Sequence, residues 1–451
     1  MNQTSKLDGF LPLIVLIPAI ICTIALFRMS IQKVLLNVFL PIFTLVPVYY
    51  FWKVKLLPPI DFAEAVLLPL GIAILIKEWR RWHFTRSDLW LTLFFASACY
   101  PDLRNGDKTA SIFILFTNLC LAFVPYAIGK LVIETHGGRI PFLKRLLTLL
   151  SVSCVIAFYE YRMGRNPFTI LMAPFFPDEH FAWKTQIRWG HGRVSGPFGQ
   201  SELAGMMLFF GIVLALYLAY YHLWEPRFAN ATWLPIKKST TITVLIGSTL
   251  LLTQARGPWL GALVAIPLAL IGRARNIRRM TSLFLAVCLV CGPLAYVGMQ
   301  NYTSATAPGS AEQETAAYRA KMLDNYIPIA IAGGATGWGK DFPRVWGQDS
   351  IDNEYLFVAL TQGYVGFFAF SLIGIEAVID LIAASAHGRT RHDRYFAFSL
   401  LGVFVGILVT VFTVFLGNQP YQLFFLLAGW AQALRPRSAD APEFAFRQVY
   451  T

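Results

Sequence analysis

A short polar cluster stands immediately before a long apolar segment late in the chain. Its members are Asp349, Ser350, Asp352, Asn353 and Glu354, within the stretch "QDSIDNEYLFVALTQGYVGFF". A carboxylate at such a boundary can act as a general base, because it needs only hydrogen-bond reach of the proton that it accepts and a suitable pKa. We therefore expect this cluster to perform acid–base chemistry on a hydroxyl group, with Asp352 or Asp349 as the base.

Three arginines suit a different task. Arg193 in "GRVSGPFGQSELAG" and Arg256 in "LLTQARGPWLG" each stand beside a glycine at the end of an apolar run, and Arg319 lies in a polar connection. The planar guanidinium presents five donors in a geometry that matches phosphate oxygens. The alternative is that an arginine at a membrane interface only snorkels toward water. On the binding interpretation, the three side chains predict an anionic, diphosphate-bearing substrate.

Other patterns are weaker candidates. Glu202 and His191 lie near Arg193 in the sequence and are further possible bases, although a surface role is the commoner explanation for such a histidine. The stretch "GATGWGK" has the glycine and lysine spacing of a phosphate-binding loop. Asp341 stands where that motif needs a hydroxyl residue for magnesium, so we interpret the stretch as a flexible loop. Cys288 and Cys291 form a C-x-x-C inside an apolar run without a companion pair. We expect no metal site and no cofactor.

Composition identifies the solvent around these residues. The chain of 451 residues is 56% hydrophobic and only 14% charged, with a mean hydropathy of +0.55. A water-soluble core of ordinary size could not bury that much apolar surface. The sequence therefore predicts an all-α, polytopic integral membrane helical bundle. Its formal net charge of +13 needs no nucleic-acid partner, because much of it can face anionic membrane lipids.

The number of spans follows from apolar runs that approach the roughly 20 residues needed to cross a bilayer. We expect one transmembrane domain over 1–451 with about 12–13 transmembrane helices, and no cleavable signal at the first run. The runs are 10–27, 34–51, 62–76, 88–99, 111–133, 146–159, 203–221, 240–254, 257–272, 281–298, 355–376, 396–416 and 420–434.

Orientation follows from the lysines and arginines in the connections, which stay on the cytoplasmic side. With thirteen spans, the basic stretches 77–86, 272–279, 387–394 and 434–437 all fall on one side. This places the N-terminus outside and the C-terminus inside. Two long loops, about 160–202 and about 299–353, then lie outside together with the turn "TQARGP".

The second long loop has a helical pattern. Ser310 and Gln313 have the spacing of a capping box, and Tyr318, Met322 and Tyr326 follow at intervals of four residues. We expect an amphipathic helix along the outer interface.

Taken in order, four segments resemble the bacterial O-antigen ligase and O-antigen polymerase superfamily. They are "RVSGPFGQSELAG", "LLTQARGPWLGAL", "GWGKDF" and "DNEYLFVALTQGYVG", within about 190–370. The resemblance implies a many-helix enzyme of the bacterial inner membrane whose active site faces the periplasm. It implies transfer of glycan from an undecaprenyl (polyprenyl) diphosphate donor, with Arg193 and Arg256 on the diphosphate. Its partners would be a glycan or lipid-linked acceptor, membrane lipids and other polysaccharide assembly proteins.

One position departs from the ligase pattern. The ligase signature has His at the position of Asp352, whereas Asn353, Gly363 and Gly366 match it. This difference favours a polymerase-like glycosyltransferase with Asp352 as base. A ligase that attaches glycan to lipid A core or another acceptor is the first alternative. A membrane transporter or a non-catalytic scaffold of polysaccharide assembly is the second.

Overall fold

The structure is a computed structural model that describes residues 11–176, 185–225, 237–303, 311–348, 350–388 and 390–435. Asp349, one of the predicted bases, and Ser310, half of the predicted capping box, lie outside the described residues.

Fifteen helices account for most of the described chain, and thirteen of them overlap the thirteen apolar runs. The two additional helices are the short α7 and α12, which lies where the amphipathic helix was predicted. In chain order the helices are α1 Leu11–Arg28, α2 Ile31–Leu45, α3 Phe62–Glu78, α4 Arg86–Arg104, α5 Lys108–Val132, α6 Arg139–Met163, α7 Pro167–Met172, α8 Ser201–Tyr220, α9 Lys238–Leu252, α10 Arg256–Ile271, α11 Ile277–Thr303, α12 Ala311–Gly333, α13 Glu354–His387, α14 Arg391–Thr410 and α15 Asn418–Leu434.

These helices confirm the predicted fold class. Seven of the helices in the described residues are long and apolar enough to cross a membrane, and α2, α9 and α10 are shorter apolar helices. The only strands within the described residues are β1 Ile187–Arg188 and β2 His191–Gly192, which form one antiparallel hairpin. The molecule is an all-α polytopic membrane bundle.

Polar contacts separate into two ends of the bundle. At one end, here called the basic face, Arg139 pairs with Glu134 before α6 and with Asp393 at the start of α14, at 2.7 and 3.0 Å. At the opposite end, here called the loop face, Lys340 pairs with Asp107 before α5 at 2.5 Å. Each of these contacts joins two connections. If thirteen helices cross the membrane in alternating directions, the two connections in each contact lie on the same side.

Small residues allow the close crossing of α10 with α14. A Cβ added to Gly402 would lie 2.4 Å from the carbonyl oxygen of Ala265, and one added to Gly261 would lie 2.8 Å from that of Gly406. Small residues let helix backbones approach in lipid, where packing rather than water exclusion holds helices together. This crossing fixes α10, and therefore Arg256 at its first position, against the rest of the bundle.

Helix α13 is broken near its loop-face end. Gly363 has φ 68° and ψ −163°, outside the helical region. The ring centroids of Tyr355 and Phe370 are 5.7 Å apart, whereas a straight helix would separate positions fifteen residues apart by about 22 Å. The piece Glu354–Gln362 therefore turns back toward the piece that follows Gly363. This places the residues just before α13 close to the bundle.

Backbone groups freed by the break are paired with residues 334–338. The amides of Tyr364 and Val365 donate to the carbonyls of Gly334 and Ala335, and the amide of Trp338 donates to the carbonyl of Leu360. Within a bilayer protein such backbone groups need partners of this kind. The stretch that the sequence suggested to be a flexible loop is thus fixed in place, and this part of the sequence interpretation was wrong.

Candidate functional site

The segment that carries Arg193 lies against the turn that precedes Arg256. The amide of Val194 donates to the carbonyl of Leu252 at 3.3 Å. The Arg188 guanidinium donates to the carbonyl of Gln254 at 2.8 Å. Two motifs about sixty residues apart in sequence therefore form one surface at the loop face.

Arg193 is buried and held by three partners. Its guanidinium pairs with Glu202 at 2.5 Å, donates to the Gln186 side chain, and reaches the carbonyl of Thr253 at 3.4 Å. Only 6% of the residue is exposed. Glu202, predicted as a possible base, is therefore engaged as the counter-charge of Arg193, and it also accepts from the Ser201 hydroxyl at 3.1 Å.

Arg256 occupies a more open position. It is exposed and is the first residue of α10, after Ala255, which provides no side-chain cap. The first amides of a helix have no intrahelical acceptor and carry partial positive charge, which favours anions. Of the two predicted arginines, Arg256 is therefore the more accessible to a diphosphate.

Glu160 holds the segment that follows Arg193 in place, although the sequence analysis did not identify this residue. Its buried carboxylate accepts hydrogen bonds from the amides of Ser195 and Gly196 at 3.0 and 2.8 Å, and from the hydroxyls of Ser195 and Thr185 at 2.8 and 3.1 Å. The only sequence signal was a lone acidic residue at the end of an apolar run. Arg188 and Gln186 were also missed, because their roles depend on contacts with distant segments.

Arg193, Arg256 and their contacts form one group of residues at the loop face. A second group contains two further predicted residues, Arg319 and Asp352. Arg319 on α12 lies 3.9 Å from Asp352, measured from Nη2 to Oδ2. The other carboxylate oxygen of Asp352 accepts from the Ser350 hydroxyl at 2.6 Å. The side chain of Asp352 is 37% exposed, so one carboxylate edge remains open to a substrate hydroxyl.

Helix α12 holds the segment before Asp352. The Tyr326 hydroxyl accepts from the amide of Val345 and donates to the carbonyl of Gln348, at 3.0 and 3.1 Å. The Tyr318 hydroxyl donates to the carbonyl of Ser350 at 3.0 Å. The tyrosines predicted for an amphipathic face thus position the polar cluster.

Asn353 and Glu354 have local structural partners. The Asn353 side chain caps α13 by accepting from the amide of Leu356 at 3.0 Å. The buried Glu354 carboxylate accepts from the amide of Leu416 at 2.8 Å, and the Glu354 amide donates to the carbonyl of Val411. These contacts attach the start of α13 to the 411–417 connection.

The 411–417 connection joins the two groups. A Cβ on Gly257, next to Arg256, would lie 2.7 Å from the Thr413 hydroxyl. The side chain of Asn418 then donates to the carbonyl of Phe198 in the first loop at 3.0 Å. Within the described residues Arg193 makes no hydrogen bond or ion pair with Asp352, so this connection is the bridge between them. The sequence analysis had placed most of this connection inside the apolar run 396–416.

His191 lies at the surface of the hairpin. It is exposed in β2, its ring stacks on Tyr161 with centroids 4.8 Å apart, and its Nδ1 is 3.0 Å from the carbonyl oxygen of Trp189. These contacts support the surface interpretation of this histidine.

The glycine-rich stretch is anchored to the end of α4. Arg104 donates to the Thr336 hydroxyl and the Gly337 carbonyl at 2.6 and 3.0 Å. The hydrogen bond from the amide of Ala110 is the largest cause that lowers the pKa of Asp107, and the hydrogen bond from the Lys340 ammonium is the next. The hydrogen bond to Asp107 in turn raises the pKa of Lys340. The Lys340 ammonium is therefore paired with a carboxylate of the same chain, that of Asp107.

Residues 241–371 match a family model described as O-antigen ligase. The match confirms the resemblance to the O-antigen ligase and polymerase superfamily, and it spans Arg256, Arg319 and Asp352. No curated protein sequence matches the chain. The family match supports membrane glycan processing by a multi-pass protein that acts on lipid-linked glycans.

Proposed function

We propose that the chain is a glycosyltransferase that moves a glycan from a polyprenyl diphosphate donor onto a sugar hydroxyl. The observation that carries the proposal is the pairing of Arg319 with Asp352, at 3.9 Å, inside the segment that matches the O-antigen ligase family. This pairing presents a partly open carboxylate beside a cation at the loop face, where an activated donor and a hydroxyl acceptor can meet.

In the proposed step, the acceptor hydroxyl oxygen attacks the anomeric carbon of the donor glycan. The carbon–oxygen bond to the diphosphate breaks, and the oxygen of the diphosphate leaves with the bonding electron pair. The proton of the attacking hydroxyl passes to the carboxylate of Asp352. The donor carries its own leaving group, so the residues need to supply only a base and charge stabilisation.

Negative charge grows on the departing diphosphate, and we assign its stabilisation to Arg256 and the positive end of the α10 dipole. Arg193 takes part by a different route. Since Glu202, Gln186 and Thr253 hold its guanidinium, it fixes the 252–255 turn and therefore the position of Arg256. A diphosphate that contacts Arg193 directly would have to displace one of these partners.

Polymerisation is the favoured form of the reaction. Asp352 stands where the ligase pattern has His, and its carboxylate lies beside the Ser350 hydroxyl, which donates to it, and the Arg319 guanidinium. The acceptor is then the sugar hydroxyl of another lipid-linked glycan. Attachment of glycan to lipid A core or to another acceptor is the alternative.

We assign the basic face to the cytoplasm and the loop face to the periplasm of a bacterial inner membrane. Basic connections are retained on the cytoplasmic side. The carrier lipid and glycan donor would then approach at the loop face, together with other proteins of polysaccharide assembly.

A transporter is less well supported. Lys130 is buried and pairs with Asp88 at 2.6 Å, but both residues lie within one turn of the basic-face ends of α5 and α4. The break at Gly363 packs on residues 334–338, which Arg104 contacts at the loop-face end of α4. Transporters place broken helices and charges near the bilayer midplane, and neither feature lies there.

Purified protein in proteoliposomes provides the test. With a polyprenyl-diphosphate-linked glycan as the sole substrate, we expect lengthened lipid-linked glycan together with one free polyprenyl diphosphate for each glycosidic bond formed. Addition of EDTA should leave the rate unchanged. If purified protein releases no polyprenyl diphosphate with glycan acceptors or lipid A core present, the glycosyltransferase proposal is wrong.

A further inference from the structure

A groove lined by arginines lies at the basic face, remote from the proposed reaction. It is about 500 Å³ in volume and lies between the start of α11 and the start of α14. Its lining residues are Arg275, Asn276, Ile277, Arg278 and Arg394. Three guanidiniums from two separate connections therefore converge on one space.

The charge of this groove is not balanced by nearby carboxylates. No ion pair joins Arg275, Arg278 or Arg394 to an acidic side chain within the described residues. Asp393 is the only acidic residue in the stretches 272–279 and 388–394, and it is already paired with Arg139 at 3.0 Å and accepts from Thr390. Three guanidiniums in one groove favour an anion with several oxygens.

A second observation points to a lipid as the source of that anion. Helix α11, which begins at the groove, has none of its first eighteen residues buried against the protein. One apolar column on this helix starts next to Ile277 and has spacings of three and four residues. Its members are exposed by 41 to 67%: Met280, Leu283, Val287, Val290 and Leu294. A phosphate in the groove would have acyl chains directly beside it on this column.

We propose that this groove binds the phosphate of an anionic bilayer phospholipid, with the acyl chains along the exposed column of α11. Basic pockets between transmembrane helices are suited to anionic headgroups. A second copy of the chain fits the column less well, because a symmetric contact along α11 would bring like-charged arginines together. The inference concerns a site separate from the proposed glycosyl transfer and does not depend on it.

The test uses the full chain, stripped of lipid in detergent and titrated with dioleoyl phosphatidylglycerol or dioleoyl phosphatidylcholine. Bound lipid is counted by native mass spectrometry. We expect phosphatidylglycerol to be retained in preference to phosphatidylcholine. In the triple variant Arg275→Gln, Arg278→Gln and Arg394→Gln, its apparent affinity should fall by about tenfold or more, because three charge-assisted phosphate contacts are lost.

A matched control removes the same charge elsewhere on the basic face. Arg28, Lys77 and Arg80 are exposed there, and their combined substitution by Gln should leave phosphatidylglycerol binding unchanged. Equal loss in the control and the groove variant would overturn the proposal, since it would show diffuse electrostatics only. Gel filtration and circular dichroism report whether each variant is folded.

Two further measurements keep the test decisive. If the Gln variant does not fold, a triple Lys variant that keeps the charge is used, and partial loss of binding is expected because Lys cannot form bidentate phosphate contacts. Unchanged binding in the Lys variant would contradict the assignment to these guanidiniums. Competition with inorganic pyrophosphate or water-soluble glycerophosphoglycerol should be weak. Displacement of the lipid at equal concentration would identify a soluble phosphate as the occupant and overturn the lipid assignment.

Discussion

Arg193 and Arg256 occur in similar glycine-flanked motifs but lie in different environments. Arg193 is buried with a carboxylate partner, whereas Arg256 is exposed at the start of a helix. The sequence predicted equal roles, because it contains no information about the partners of each guanidinium. On this basis we propose a positioning role for Arg193 and a ligand-binding role for Arg256.

Substitution of Arg256 tests this difference. Arg256→Ala should raise the KM for the polyprenyl-diphosphate donor and lower kcat/KM by about a hundredfold, because charge-assisted contacts to the diphosphate are lost. Arg256→Lys should recover part of this loss. The rate of glycan transfer against donor concentration gives both parameters. Unchanged kinetics for Arg256→Ala would remove this residue from the proposed site.

Asp352 is tested as the general base. Asp352→Asn keeps the size of the side chain and removes its ability to accept a proton, so kcat should fall by about 10²- to 10⁴-fold with little change in donor KM. Asp341→Asn is the matched control, since Asp341 is also acidic and exposed at the loop face. If Asp352→Asn retains full kcat, another group must accept the proton.

At the scale of elements, Asn353 caps α13. We expect Asn353→Ala to lower the free energy of unfolding by about 1 kcal/mol, because the amide of Leu356 loses its acceptor. Asn353→Asp restores an acceptor and should keep both stability and glycan transfer. Thermal unfolding in detergent and transfer assays measure the two effects. Loss of transfer in a stable Asn353→Asp protein would indicate a chemical role for the amide instead.

The break in α13 depends on Gly363. An alanine there would have φ of 68°, and its Cβ would lie 2.3 Å from the amide nitrogen of Gly337. We expect Gly363→Ala to cost about 1–3 kcal/mol or more in unfolding free energy and to abolish transfer by moving Asp352. Gly247→Ala, on α9, is the control, because a Cβ there meets no atom within 4 Å. Equal melting temperatures for the two variants would show that the break is not required.

The sequence predicted helices better than it predicted their ends and joints. The bilayer demands long apolar runs, so each of the thirteen runs overlaps a helix, although the runs 34–51 and 396–416 continue past the helix ends at Leu45 and Thr410. Helix α4 begins at Arg86, before its run of 88–99, and Thr85 and Asp88 form a capping box at this end that hydropathy does not detect. The break at Gly363 was missed for a similar reason. It lies inside the predicted run 355–376, and the backbone groups beside it pair with residues 334–338, which are distant in sequence.

At the scale of the whole molecule, the grouping of polar residues at the loop face indicates the location of the proposed site better than any one motif does. The sequence predicted that the Arg193, Arg256 and Asp352 segments share one side, and the contacts through the 411–417 connection are consistent with this. It could not predict that connection's bridging role or the pairing of Arg319 with Asp352. Both depend on how helices distant in sequence pack together.

The most direct test of glycan transfer is the profile of polyprenyl-diphosphate-linked glycans in cells that lack the protein. Wild type or Arg256→Ala is then re-expressed at matched levels in the membrane. We predict that single repeat units accumulate in the deletion strain, disappear with wild type, and persist with Arg256→Ala. Accumulation of long lipid-linked chains would instead indicate a ligase. An unchanged profile after deletion would contradict glycosyl transfer altogether.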